Sequence, residues 1–130
     1  MINRNTQISI VDDDLSVRGA TMNLVRAMGL AAEMFPCAED FLGSDAINRT
    51  SCLIADMRMP GISGLELHNR LVASGTPVPT ILVTAFPDKR DQARAKESGV
   101  AFYLSKPFNE NELLACIHSI LKTSGFDKSE

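Results

Sequence analysis

Apolar residues in this chain come in short runs separated by polar breaks, and the spacing inside the runs is of two kinds. Ile8-Ser9-Ile10-Val11 and the runs at 31–35, 51–55, 80–83 and 101–104 are four or five residues long. They are too short for helices and each is bounded by turn formers, so each predicts a strand. Between them the spacing changes to threes and fours. Val17, Ala20, Leu24, Val25 and Met28 fall on one helical stripe closed by Gly29, with Asp14 or Ser16 available as its cap. Phe41 and Leu42 lie in a short helix predicted over 38–46. Leu65, Leu67, Leu71 and Val72 predict a third helix, stopped by Gly75. Residues 88–98 predict a charged fourth helix with few large apolar side chains, ended by Gly99. Leu113, Leu114, Ile117, Ile120 and Leu121 give the strongest helical stripe, followed by a polar tail.

Five β-then-α units with short connections predict right-handed crossovers and a parallel sheet covered on both faces. The fold class is therefore α/β, a three-layer sandwich. The strand runs lack a clean apolar–polar alternation, as burial on both faces requires. The expected domain spans residues 1–124, with 125–130 as its polar tail.

Composition narrows the function classes. The 130 residues make one domain, and 45% apolar with 22% charged residues is a globular balance rather than a disordered one. Thirteen basic against sixteen acidic residues give a formal charge of −3 with no basic cluster, which argues against direct nucleic-acid binding by this chain. Cys37, Cys52 and Cys116 are odd in number and far apart, matching neither a disulfide framework nor a zinc site; they read as small buried hydrophobes in a reducing compartment. The first residues carry no apolar leader and no stretch reaches membrane-spanning length, so the expectation is a cytoplasmic protein without a membrane partner.

The candidate chemistry lies where the strands stop. Leu53-Ile54-Ala55 runs straight into Asp56, and Pro60-Gly61 follows. The other strands end at Asp12-Asp13, Thr84 and Lys106. In a parallel sheet these ends share one rim, the place where open α/β sheets bind ligands. Three carboxylates make an oxygen-only cage suited to Mg²⁺. Without a cation, two carboxylates about 4 Å apart repel by roughly 4 kcal/mol at an effective dielectric near 20. Such a site suits phosphoryl transfer to an aspartate nucleophile, with Lys106 and the metal neutralising charge and Thr84 donating to a phosphoryl oxygen.

Each piece has an ordinary explanation when taken alone. The three aspartates can complement a helix N-terminus, Asp56 can be a turn residue, Lys106 a solvated charge and Thr84 a plain strand end. His68 and His118 read as surface or packing residues, and Met22, Met28, Met57 and Met59 as gap fillers. The joint occurrence favours the phosphoryl site.

Val11-Asp12-Asp13-Asp14, Asp56-Met57-Arg58-Met59-Pro60-Gly61-Ile62-Ser63-Gly64, Val83-Thr84-Ala85 and Lys106-Pro107-Phe108 together resemble the signature of receiver domains of two-component response regulators, in wording closest to the FixJ-like branch. The resemblance runs from about Gln7 to Leu121. It implies a flavodoxin-like (βα)5 fold with strand order 2-1-3-4-5. It implies Asp56 as phosphoacceptor for a sensor histidine kinase or phosphotransfer protein, with self-catalysed phosphorylation and dephosphorylation rather than metabolic turnover. By the same resemblance Mg²⁺ is held by Asp13, by Asp12 largely through water, by Asp56 and by the backbone carbonyl of Arg58. Thr84 and Tyr103 match the switch pair, and Lys106 matches the phosphate-binding lysine, with a cis bond to Pro107. Arg58 and Phe86 match variable positions that influence acyl-phosphate lifetime. The implied output surface is the fourth helix, fifth strand and fifth helix, acting on an output domain, a partner protein or a phosphorylation-dependent homodimer.

Two alternatives share parts of this chemistry. A haloacid-dehalogenase-like phosphatase wants a second carboxylate two residues after the nucleophile, where this chain has Arg58. A flavodoxin-like cofactor carrier wants a hydroxyl- and glycine-rich loop after the first strand, where this chain has aspartates. FixJ-like relatives often continue into a DNA-binding domain, and the sequence leaves the output, the cognate kinase and the oligomeric state open.

Overall fold

A computed structural model describes residues 6–123; the polar tail expected over 125–130 lies outside the described residues. The strands are β1 (Gln7–Val11), β2 (Ala31–Phe35), β3 (Thr50–Asp56), β4 (Thr80–Thr84) and β5 (Phe102–Ser105). The helices are α1 (Leu15–Ala27), α2 (Ala38–Leu42), α3 (Gly64–Ala73), α4 (Lys89–Glu97) and α5 (Glu110–Thr123). All neighbouring strands pair in parallel, in the order β2-β1-β3-β4-β5. The expected strand order and three-layer architecture are therefore present.

Side chains alternate between two cores, one on each face of the sheet. Leu53, Ala55 and Leu82 pack with Phe41 of α2, Leu67 and Leu71 of α3 and Ala95 of α4. Cys52, Ile54, Ile81 and Val83 point the other way, onto Val25 of α1 and Leu113 and Ile117 of α5. The period of two along a strand is preserved, but both faces are apolar, which is why the sequence shows no alternation. Cys37, Cys52 and Cys116 are free thiols, the last two buried.

Four local expectations are corrected. The helix expected over 38–46 breaks at Gly43, and Ser44 caps a separate 3₁₀ turn, Asp45–Asn48, by accepting from the Ala46 N–H. On α1, Ala20 is exposed and Thr21 takes the buried position. On α3, Val72 is exposed and His68 is buried in its place. The fifth strand is shifted by one residue, from 101–104 to Phe102–Ser105. His68 is affordable inside because both ring nitrogens are bonded: Nε2–H donates to the Ser98 carbonyl at 2.9 Å, and Nδ1 lies 3.0 Å from the Thr80 hydroxyl. His118 is exposed.

Asp14, rather than Ser16, caps α1, accepting from the N–H groups of Ser16 and Val17. Ser63 caps α3 by accepting from the Glu66 N–H at 3.1 Å. Gly19 sits inside α1 with no atom within 4 Å of the position a Cβ would take. Gly19→Ala should therefore raise stability by about 0.5–1 kcal/mol, through helix propensity alone. A urea titration checks this, with a higher midpoint at unchanged slope as the expected result.

Candidate functional site at the carboxyl rim

The backbone ladder continues one residue past several strands, so the rim is held as firmly as the sheet. The Asp12 N–H donates to the Phe35 carbonyl at 3.2 Å, Met57 to Val83 at 2.7 Å and Lys106 to Thr84 at 2.7 Å. In the β3–β4 register Asp56 faces Val83, which places Thr84 one residue further along the neighbouring strand. Asp12, Asp56 and Thr84 are buried, and Asp13 is exposed.

The converging groups are those singled out in the sequence. Ligand oxygens of Asp12, Asp13 and Asp56 lie within 4.8 Å of one another. Lys106 reaches in from β5, its Nζ 3.0 Å from Asp12 Oδ2 and 3.2 Å from Asp56 Oδ2. The Arg58 N–H donates to the other Asp56 oxygen at 3.3 Å. Burial, and then the Asp12 carboxylate, push the Asp56 carboxyl up to about 6, against the pull of Lys106 and the Arg58 N–H. Burial draws the Lys106 ammonium down, but hydrogen bonds and charge from Asp12 and Asp56 outweigh it and leave the pKa raised. An oxygen-only set this close, with one carboxyl resisting ionisation, fits a hard divalent cation.

Thr84 Oγ accepts from the Phe86 N–H at 3.1 Å, which leaves the hydroxyl proton available. Phe86 itself is 72% exposed. Tyr103 is not at the acid cluster. Its ring is half-buried beside Ala95 and Val100, and its hydroxyl accepts from the Asp88 N–H at 3.3 Å. The Lys106–Pro107 bond is cis, as the resemblance implied.

Two contacts here were not foreseen. Arg18 Nη1, from α1, donates to the Asp12 carbonyl at 2.8 Å and so fixes the start of the acidic loop. The Arg58 guanidinium pairs with Asp91 of α4, which Arg94 also approaches at 3.5 Å. Asp91 reads in sequence as an ordinary acid in the first turn of a helix, and only the tertiary fold sets it beside Arg58.

A doubly wound five-stranded sheet with an acidic rim, a lysine and a strand-end threonine defines a class of signalling receiver. Residues 8–118 match the family of response regulator receiver domains, and the chain belongs to that family. It is 36% identical over 129 residues to the response regulator protein TodT of Pseudomonas putida, covering 99% of this chain and 57% of TodT. Among solved structures, the response regulator StyR superposes with a TM-score of 0.83 at 40% identity, over 91% of this chain and 60% of that one. FixJ-N superposes with a TM-score of 0.83 at 28% identity, over 94% of this chain and 96% of that one. The chain thus spans little more than half the length of TodT and StyR. This is a receiver domain of two-component signalling, which sets the phosphatase and cofactor-carrier alternatives aside. Receiver domains bind Mg²⁺ at an acidic pocket. Among the described residues, no helix is long and apolar enough to cross a membrane.

Proposed function

We propose that Asp56 is the phosphoacceptor of this receiver and that a sensor histidine kinase or phosphotransfer protein is its donor. The observation that carries the reading is the placement of Asp56: buried, at a strand end, 3.2 Å from Lys106 and within one carboxylate cluster with Asp12 and Asp13. An Asp56 oxygen attacks phosphorus and forms the acyl phosphate, while the bond to the donor's leaving group breaks and that group keeps the electron pair. Lys106 stays within reach of the phosphoryl oxygens, and the rigid rim holds the nucleophile in line. Asp12, Asp13, Asp56 and the Arg58 carbonyl would hold Mg²⁺, which when bound supplies positive charge against the phosphoryl oxygens. Asp56 must be ionised to attack, and in the metal-free protein its raised pKa opposes that.

The Thr84 hydroxyl, which accepts from the Phe86 N–H and keeps its own proton free, donates that proton to a phosphoryl oxygen. Tyr103, tied to the start of α4 through Asp88, follows that change and alters the face formed by α4, β5 and α5. That face acts on an output domain, a partner protein or a second copy. The working unit is the domain over 1–124, in a cytoplasmic protein that catalyses its own phosphorylation and dephosphorylation without metabolic turnover.

The test is intact mass after incubation with Mg²⁺ and acetyl phosphate, for wild type and Asp56→Asn. A single Mg²⁺-dependent phosphoryl adduct in wild type, absent from the variant, is expected. An adduct that survives in Asp56→Asn, or none in a wild type that binds Mg²⁺, overturns the assignment.

A further inference from the structure

We propose that Asp91 is a positioning residue that acts on the phosphoacceptor through Arg58: it holds the Arg58 guanidinium on α4 until a phosphoryl group on Asp56 competes for it. The inference rests on the reading of Asp56 given above. Arg58 is joined to both places at once. Its main-chain N–H donates to Asp56 Oδ1 at 3.3 Å, while its Nη2 donates to Asp91 Oδ2, 33 residues away in sequence. One residue therefore connects the acid cluster to the first turn of α4.

The pair is asymmetric in a way that suits release. The Asp91 side chain is 11% exposed and that of Arg58 is 54% exposed. A buried carboxylate needs a cation, and Arg94 supplies a second one at 3.5 Å. Arg58 can leave without stranding Asp91. A groove of about 630 Å³ lies beside the pair, lined by Met57, Met59, Leu65 and Glu66 among others.

A phosphoryl group supplies the competitor. The acyl phosphate carries close to two negative charges where the ionised carboxylate carried one, and Lys106 is already shared between Asp12 and Asp56. Arg58 is the cation on the same loop. Helix α4 is poised to respond, because Ala95 is its buried apolar side chain. Its far end is fastened by His68 on the Ser98 carbonyl, and its near end by the Arg58–Asp91 pair. Loss of the pair loosens the first turn while the far end stays anchored.

Amide hydrogen exchange of the full chain, with and without Mg²⁺ and acetyl phosphate, tests this in Asp91→Asn, Arg58→Gln, Arg58→Lys and the Asp91→Asn/Arg58→Gln double variant. Each variant keeps the Arg58 main chain. The amides to follow are those of residues 90–92, all bonded to Asp88. Without phosphoryl donor, Asp91→Asn and Arg58→Gln should each speed their exchange about three- to tenfold, the double variant no further, and Arg58→Lys less. Phosphorylation should speed the same amides in wild type and add nothing in Asp91→Asn or Arg58→Gln. The Ser98–Val100 amides should stay unchanged throughout. Additive single effects, or a full phosphorylation increment surviving in Asp91→Asn, would overturn the proposal. A wild type that takes no phosphoryl group would sink the reading of Asp56 instead, while the donor-free measurements would still decide whether the pair is a tether.

Discussion

Gly64→Ala is expected to destabilise this domain by about 3 kcal/mol or more, and to disturb Asp56 although the new methyl group carries no charge. A Cβ at position 64 would collide with the Asp56 carbonyl oxygen and come to the Asp56 carbonyl carbon and Leu82 Cδ2, each at 2.9 Å. Two of these neighbours are backbone at the end of a central strand, and neither can rotate away. The Gly64 N–H also donates to the Met57 carbonyl at 3.2 Å, so the helix start is tied to the same loop. Overpacking of this kind costs about 1–3 kcal/mol where side chains can yield, and more where they cannot. The Gly61 position differs. There a Cβ meets the Glu39 carboxylate, a flexible side chain, and the positive φ of 80° is the main obstacle. Chemical denaturation checks the stability change, and adduct formation from acetyl phosphate checks the site. A Gly64→Ala protein with a wild-type midpoint would show that α3 can shift off β3, contrary to the close approach described.

The sequence displays Asp12, Asp56, Thr84 and Lys106 because an apolar run that stops on a polar residue marks a strand end, and a parallel sheet brings such ends to one rim. Nothing three-dimensional beyond topology was needed to bring them together. The Arg58–Asp91 pair is different in kind. It depends on how far α4 stands from the β3–α3 loop, a distance set by packing and not by any periodicity. Arg18 on the Asp12 carbonyl is hidden for the same reason, since a backbone acceptor leaves no mark in a sequence. His68 reads in sequence as a surface or packing residue, and what settles its burial is Thr80 and Ser98 arriving from two other elements. Tyr103 shows the limit of pattern alone. Its position in the strand was evident, and its tie to Asp88 was not.

The metal-free domain should lose stability as pH rises from about 4 to 6, and Asp56→Asn should remove that loss. The sign follows from proton binding. Burial and the Asp12 charge raise the Asp56 carboxyl to about 6 in the folded chain, whereas it titrates near 3.9 when unfolded. Between those values the folded state holds the extra proton, so the stabilisation is fully present below about 4 and lost as pH passes 6. A shift of about two units corresponds to about 1–3 kcal/mol, once a unit's latitude is allowed for a carboxyl tied to Lys106. In chelator at pH 7, Asp56→Asn should therefore be more stable than wild type by a similar amount. Added Mg²⁺ should reverse the order, because a ligand that binds the folded state alone stabilises by about 4.1 kcal/mol at one thousand times its Kd, and the variant lacks one of the carboxylates. Thermal or urea unfolding across this pH range, with chelator and with Mg²⁺, measures both arms. A wild type whose stability is flat from pH 4 to 7 without metal would mean that Lys106 neutralises the cluster by itself. The requirement for a divalent ion would then have to come from the phosphoryl group rather than from repulsion between Asp12 and Asp56.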